Sequence, residues 1–158
     1  MKISSLNKGL VAHWTMSQDS LKGSLLADKT PYENDGTIYG ATFTTDRKGK
    51  ANSAMSFDGV DDYIDCGSDN SLKLENSGTI IAWIYPTSLT GFRVFYGSSG
   101  ISDVDKTPYL RLESGEMKAY LGNGTNLNSV NSGYYPKLNT WSFVGMSWDG
   151  TNINSFHN

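Results

Sequence analysis

The 158-residue sequence predicts an all-β chain folded as an antiparallel sandwich or barrel. Three observations carry that prediction. Gly, Ser, Thr and Asn supply 63 residues, while Ala supplies 7 and Glu 4. That balance is poor in helix formers and rich in residues that turns and strands accept. Apolar stretches are short and recur at about 8–12-residue spacing between Gly/Asn/Asp/Ser clusters. No window shows apolar residues at the 3.6-residue period of a helix.

The elements follow in order. Leu10, Ala12, Trp14 and Met16 alternate with Val11, His13 and Thr15, which predicts a strand over 10–16. Residues 37–44 read as one or two strands broken at Gly40. Residues 54–57 and 63–66 flank the turn-rich Asp58-Gly59-Val60-Asp61-Asp62. A strand over 79–85 stops at Pro86, because proline lacks the donor a central ladder needs. Trp83 stands mid-strand and is expected to point between two sheets. Residues 92–96 form a further strand. Residues 109–113 and 117–121 enclose Ser114-Gly115-Glu116, a hairpin turn. Residues 123–133 read as a loop or weak strand. Residues 141–148 and 152–156 enclose a second turn at Asp149-Gly150-Thr151. The total is about ten strands. One domain over 1–158 suits this length, and no repeat or internal boundary is visible.

Several function classes are excluded or disfavoured. The net charge is −3 and no basic run exists, so nucleic acid is not expected as a partner. One cysteine, Cys66, rules out an intramolecular disulfide and a multi-Cys metal cluster. It reads as a small buried hydrophobe. The apolar runs are too short to span a bilayer as helices. No apolar segment follows the N-terminal charge, so no signal peptide is visible in this chain.

Five phrases in fixed order carry a resemblance. They are Gly9-Leu10-Val11-Ala12-His13-Trp14, then Asp28 with Asn34-Asp35-Gly36-Thr37, and then Ala54-Met55-Ser56-Phe57-Asp58-Gly59-Val60-Asp61-Asp62-Tyr63-Ile64. Gly78-Thr79-Ile80-Ile81-Ala82-Trp83-Ile84-Tyr85-Pro86 follows, and last Asn139-Thr140-Trp141-Ser142-Phe143-Val144 leading to Trp148-Asp149-Gly150. Over about residues 9–152 the set resembles the laminin-G-like, concanavalin-A-like lectin/glucanase domains of the pentraxin-related group. The resemblance implies an all-β antiparallel two-sheet jelly-roll sandwich. It also implies strands beyond Asn158 that would neighbour the first strand. Residues 10–16 are therefore expected to present an open edge, closed by a second copy or another chain through strand addition.

The candidate chemistry is that of a binding module, not an enzyme. The glucanase pattern Glu-x-Asp-x-x-Glu is absent, and Glu113 and Glu116 bracket a turn expected to be solvated. Asp62 and Asp65 would face opposite sides of a strand. His13 and His157 have no Ser or Cys partner pattern. Asp28, Asn34 and Asp35 share one loop, and the resemblance implies a structural calcium there, with Asp28 as first ligand. The alternative is an Asx-type turn. Asp103 and Asp105 read as a solvated loop. For a ligand, Tyr32, Phe92, Tyr134 and Tyr135 are the aromatic residues expected at the surface. The four tryptophans, all in alternating patterns, are expected in the core. Asn123-Gly124-Thr125 is an N-glycosylation sequon.

Two roles follow. One is a non-catalytic binding or adhesion module of an extracellular assembly, recognising glycan or protein. The other is a virion structural protein, a phage decoration or fibre subunit completed by its neighbours. An accessory domain of a glycosidase or lyase is the distant alternative.

Overall fold

The computed structural model describes residues 8–74, 76–97, 108–122 and 127–158. They contain thirteen strands, two short 3-10 turns and no α-helix. All strand pairings are antiparallel. The chain divides into two compact units, Met1–Lys73 and Leu74–Asn158.

The first unit carries β1 (Leu21–Lys22), β2 (Leu25–Leu26), β3 (Gly36–Tyr39), β4 (Thr42–Thr44), β5 (Ala54–Ser56) and β6 (Tyr63–Asp65). The sheet order is β1-β2-β3-β6, and β4 and β5 form a separate pair. Gly40 separates β3 from β4 with φ of +73°, and a Cβ there would meet Asp62 Oδ1 at 1.9 Å. Only glycine satisfies both the left-handed turn and that approach. The unit buries little apolar material. Among its described residues Leu26 and Ala54 are the buried apolar side chains, beside the polar Ser20, Asp28, Thr30 and Asn34.

The expected strand over 10–16 does not form. Its one pairing is an isolated bridge from Trp14 to Asp28. Met16 has φ of +56°, which ends any extended run. Side chains satisfy the backbone instead. His13 N–H donates to Asp28 Oδ1, and Val11 carbonyl accepts from Thr30 Oγ1 and Asn34 Nδ2. The period-2 pattern was real, but no neighbouring strand takes it up.

The second unit carries β7 (Gly78–Ile84), β8 (Phe92–Tyr96), β9 (Pro108–Glu113), β10 (Glu116–Gly122), β11 (Leu127–Asn131), β12 (Ser142–Trp148) and β13 (Ile153–His157). One sheet has the order β11-β10-β9-β8 and the other β13-β12-β7. Between them lies the core: Ile84, Leu110, Leu112, Met117, Ala119, Leu121, Val144, Met146 and Trp148. β9, β10 and β12 each supply residues two apart to this layer, while neighbours such as Tyr109 and Tyr120 are buried as well. Trp148 Nε1 donates to Leu74 carbonyl at 3.0 Å, so its one polar atom is satisfied. The β9–β10 hairpin turns at Ser114 and Gly115, both left-handed at φ +51° and +86°. That is the two-residue geometry whose twist matches the strands.

Two orientations differ from expectation. Trp83 points outward and is 42% exposed, because Ile80, Ala82 and Ile84 take the inward face of β7. Both faces of this strand are apolar, so alternation alone could not choose between them. Of the four tryptophans only Trp148 is fully buried, while Trp14 and Trp141 are half-buried.

Candidate functional site

Asp28 organises the loop that follows β2. Its Oδ1 accepts from the N–H of His13 at 2.8 Å and of Thr30 at 3.0 Å. Its Oδ2 accepts from Thr30 Oγ1 at 2.7 Å and from Asn34 N–H at 3.1 Å. Burial pushes its carboxyl pKa up, but the His13, Thr30 and Asn34 donors outweigh burial and hold it below the usual range. Asn34 is turned inward. Its Nδ2 donates to Val11 carbonyl and to Ser71 Oγ, and its carbonyl accepts from Trp14 Nε1 at 2.7 Å. Asp35 Oδ1 accepts from Asp28 N–H, and its Oδ2 pairs with Lys22 Nζ at 3.3 Å. The predicted trio is thus one network, wired by internal donors. Its outer side borders an open trough of about 470 Å³ with Glu33, Asp35, Asp65 and Asp69 along it. Tyr32 is 54% exposed near this loop and shares no site with the other predicted aromatics.

Tyr134 and Tyr135 come together in the second unit. They line a hollow of about 260 Å³ with Lys137, Thr140, Trp141, Ser142 and Asn158. Tyr134 is the structural wall. Its ring stacks on His157 at 4.0 Å, and its hydroxyl donates to Ser142 Oγ at 2.9 Å. Tyr135 is 61% exposed and Trp141 is half-buried, with Tyr85 against it at 5.4 Å. The hollow therefore offers two accessible ring surfaces beside an ammonium, a hydroxyl and an amide.

Phe92 marks a third place. It is 60% exposed on the face of the four-stranded sheet that points away from the core. The Arg111 guanidinium lies over its ring at 4.9 Å and over the Tyr120 ring at 4.2 Å. Glu113 Oε2 accepts from Arg111 Nη2 at 3.0 Å and from the Tyr120 hydroxyl, and Lys118 Nζ is 3.6 Å from Oε1. The Tyr120 hydroxyl, then Arg111 and Lys118, hold the Glu113 carboxyl below its usual range. Burial, with Glu113, raises that of Tyr120. Arg111 Nε is buried without a hydrogen-bond partner. Glu113 was expected at a solvated hairpin end; its side chain is only 25% exposed and fully engaged. The signal was a cross-strand Arg/Glu/Lys/Tyr set, readable only once register is known.

A nucleophile is not apparent among these residues. Burial, then Asp65 and Asp28, push the Cys66 thiol up to about 12, so it stays protonated. Glu116 accepts from Gly133 N–H at 2.9 Å, and Glu113 is tied as described. Asp103, Asp105 and the Asn123 sequon lie outside the described residues.

A family model of laminin G type, for the concanavalin A-like lectin/glucanases superfamily, matches residues 58–158. The chain belongs to the concanavalin A-like lectin/glucanase superfamily. No curated protein and no solved structure matches it. Laminin-G-like domains of this superfamily are typically non-catalytic binding modules and are usually extracellular. No helix among the described residues is long and apolar enough to cross a membrane.

Concanavalin A-like domains often bind calcium, so the two acidic sets can be tested for fit. The Asp28 loop does not fit. Both oxygens of Asp28 already accept two donors each, so a cation there would have to displace at least one internal hydrogen bond. A second acidic set lies in the turn between β5 and β6. Asp58, Asp61 and Asp62 each place a carboxylate oxygen within 4.8 Å of the others. Asp58 Oδ1 accepts from Val60 and Asp61 N–H, and Asp62 Oδ2 from Asp58 N–H. Backbone donors, Val60 first, hold the Asp58 carboxyl low and ionised. These hard oxygens suit a calcium ion in kind, and the loop keeps them at the surface. Tyr39 and Tyr63 stack beside them at 4.6 Å.

Proposed function

We propose that this chain is a non-catalytic recognition module of an extracellular assembly and that it binds a glycan in the hollow around Tyr135 and Trp141. The observation behind this reading is the pairing of exposed ring surface with the Lys137 ammonium and the Asn158 amide NH2 in one concavity, where Thr140 Oγ1, which donates to Leu138 carbonyl, can still accept. A sugar presents a C–H face that packs on an aromatic ring and hydroxyls that need hydrogen bonds. Lys137, Thr140 and Asn158 stand where those hydroxyls would lie. Tyr134, held by Ser142 and His157, keeps the wall rigid, so little ordering accompanies binding.

Calcium belongs, in this reading, at Asp58, Asp61 and Asp62 and not in the Asp28 loop. The module is read as one domain over 1–158, and a partner chain at the edge near residues 10–16 remains part of the proposal. The virion role stays as a second reading, favoured by the uncharged aromatic sheet face of the second unit.

A glycan array followed by NMR titration tests the binding reading. The Tyr135 and Trp141 resonances are expected to shift with a bound oligosaccharide, and Tyr135→Ala is expected to weaken binding about thirtyfold. An array without hits, or a hit that Tyr135→Ala leaves unchanged, removes the site. Repeating the array with EDTA separates calcium from the hollow: loss of binding would place the ligand at the acidic set instead.

A further inference from the structure

The hollow of the second unit is rich in donors and poor in acceptors. Its lining includes no Asp or Glu side chain. Lys137 is exposed, and among the described residues its ammonium has no carboxylate or hydrogen-bond partner. Asn158 is pinned to Phe143. Its Oδ1 accepts from Phe143 N–H at 2.7 Å, and its own N–H donates to Phe143 carbonyl at 3.2 Å. The amide oxygen is thus engaged and the NH2 is left over. The Tyr134 hydroxyl is engaged with Ser142 Oγ. Thr140 Oγ1 donates to Leu138 carbonyl at 3.2 Å and keeps its lone pairs. Ammonium and amide N–H groups therefore face only the Thr140 oxygen and the Tyr135 hydroxyl as acceptors.

A neutral sugar matches this inventory poorly. Each of its hydroxyls carries a donor that needs an acceptor in the wall. An ionised carboxylate or sulfate only accepts, and its hydrogen bonds to an ammonium are the stronger, charge-assisted kind. The rim is also fixed before a ligand arrives. Pro136, between Tyr135 and Lys137, is fully buried, and Asn139 N–H donates to Pro86 carbonyl at 2.9 Å. Binding there orders little backbone. The volume of about 260 Å³ lies below the roughly 300–1,000 Å³ that takes a drug-sized molecule, so a single ring suits it.

We propose that the hollow takes one sugar ring bearing an anionic group, a carboxylate or a sulfate, with the ring on Tyr135 and Trp141 and the anion at Lys137 and Asn158. This assignment rests on the glycan reading above and names the class of glycan.

Titrations of the full ¹⁵N-labelled chain with small probes test it, read at the Tyr135 amide and the Trp141 indole. Glucuronate and glucose 6-sulfate carry the two anions on a ring. Glucose carries the ring alone, and acetate and inorganic sulfate carry the charge alone. At least one anionic sugar is expected to bind about tenfold or more tighter than glucose and than its free anion. The tighter of the two identifies the anion. Lys137→Gln is expected to reduce the preference over glucose to about threefold or less, and Lys137→Arg to keep it. Lys137 is exposed, so neither change disturbs the core. Added salt is expected to narrow the preference. Glucose binding as tightly as both anionic sugars overturns the proposal and leaves the glycan reading standing. A free anion binding as tightly as its sugar also overturns it, because the hollow is then a charge site without a ring. So does a preference that Lys137→Gln leaves unchanged. If no sugar shifts either resonance the proposal falls, and an empty glycan array then removes the broader reading as well.

Discussion

The two units solve the same problem by opposite means. Leu74–Asn158 is held by an apolar layer between two sheets, in which Leu110, Leu112, Ala119, Val144 and Met146 have no exposure at all. Met1–Lys73 has short strands and few buried apolar side chains, and turns instead on one carboxylate. Asp28 ties His13, Thr30 and Asn34 into a loop that a ladder would otherwise have to organise. Apolar packing is non-directional and tolerates a range of side chains. A hub of directed hydrogen bonds tolerates almost none, because each lost partner leaves a polar group unmet. The first unit should therefore fail locally and the second cooperatively.

The largest expected effect tests the apolar side. Met146→Ala removes a side chain with no exposure between the sheets, and is expected to lower stability by about 2–5 kcal/mol. Urea unfolding followed by tryptophan fluorescence measures it. A loss below about 1 kcal/mol would mean that the layer is not close-packed.

Asp28→Ala comes next, at about 2–4 kcal/mol, since four donors lose their acceptor and water can replace only part of it. The distinguishing readout is hydrogen exchange. Amides of His13, Thr30 and Asn34 should exchange faster, while those of β12 keep their protection. Protection lost equally in both units would show that the contrast is false and that the hub supports the whole chain. Calorimetry adds a further check on the single-domain reading, for which one transition is expected and two would break it.

Acid provides a gentler version of the same test. The folded Asp28 carboxyl lies below its unfolded value near 4, so its stabilisation is complete above that pH. It is lost as the pH falls through the folded value, because the unfolded state binds the proton more readily. Wild type should lose the loop's exchange protection below about pH 4. Asp28→Asn should be weaker at neutral pH and should show a flatter acid limb. Equal acid limbs would remove Asp28 as the group responsible.

The second unit was far more legible in the sequence than the first, for a physical reason. Strands over 79–85, 92–96, 109–113, 117–121 and 141–148 appear within a few residues of β7, β8, β9, β10 and β12. Turn residues bound each of these apolar runs, so their limits are readable even though β9 and β10 bury residues on both faces. Residues 10–16 carry period-2 alternation without a partner strand, and pattern alone cannot see what lies alongside. Ile80 and Ile81 make both faces of β7 apolar, so alternation does not say which way Trp83 points. Tyr135 is exposed, as the flanking Pro136 and polar loop suggest, whereas Tyr134 is half-buried against the core. Asp58, Asp61 and Asp62 were visible as a run of carboxylates, but their convergence depends on the backbone of the turn. The Arg111 cluster depends on register across β8, β9 and β10, which no single segment encodes.

That cluster supplies the smallest effect and the finest test of the comparison, because it is a hydrogen-bonded network inside the unit that apolar packing dominates. Arg111→Lys keeps the charge opposite Glu113 but removes the planar group held between Phe92 and Tyr120. The loss expected is about 1 kcal/mol, mostly of ring contact. It also removes the buried Nε that has no partner, which offsets part of that loss. If directed bonds matter only where the apolar layer is thin, Arg111→Lys will move the urea midpoint much less than Asp28→Ala does. An Arg111→Lys loss equal to that of Asp28→Ala would mean that the second unit, too, depends on a polar hub. Measuring both variants in one buffer at one salt concentration makes the ranking direct, since salt screens the partly exposed Arg111–Glu113 pair.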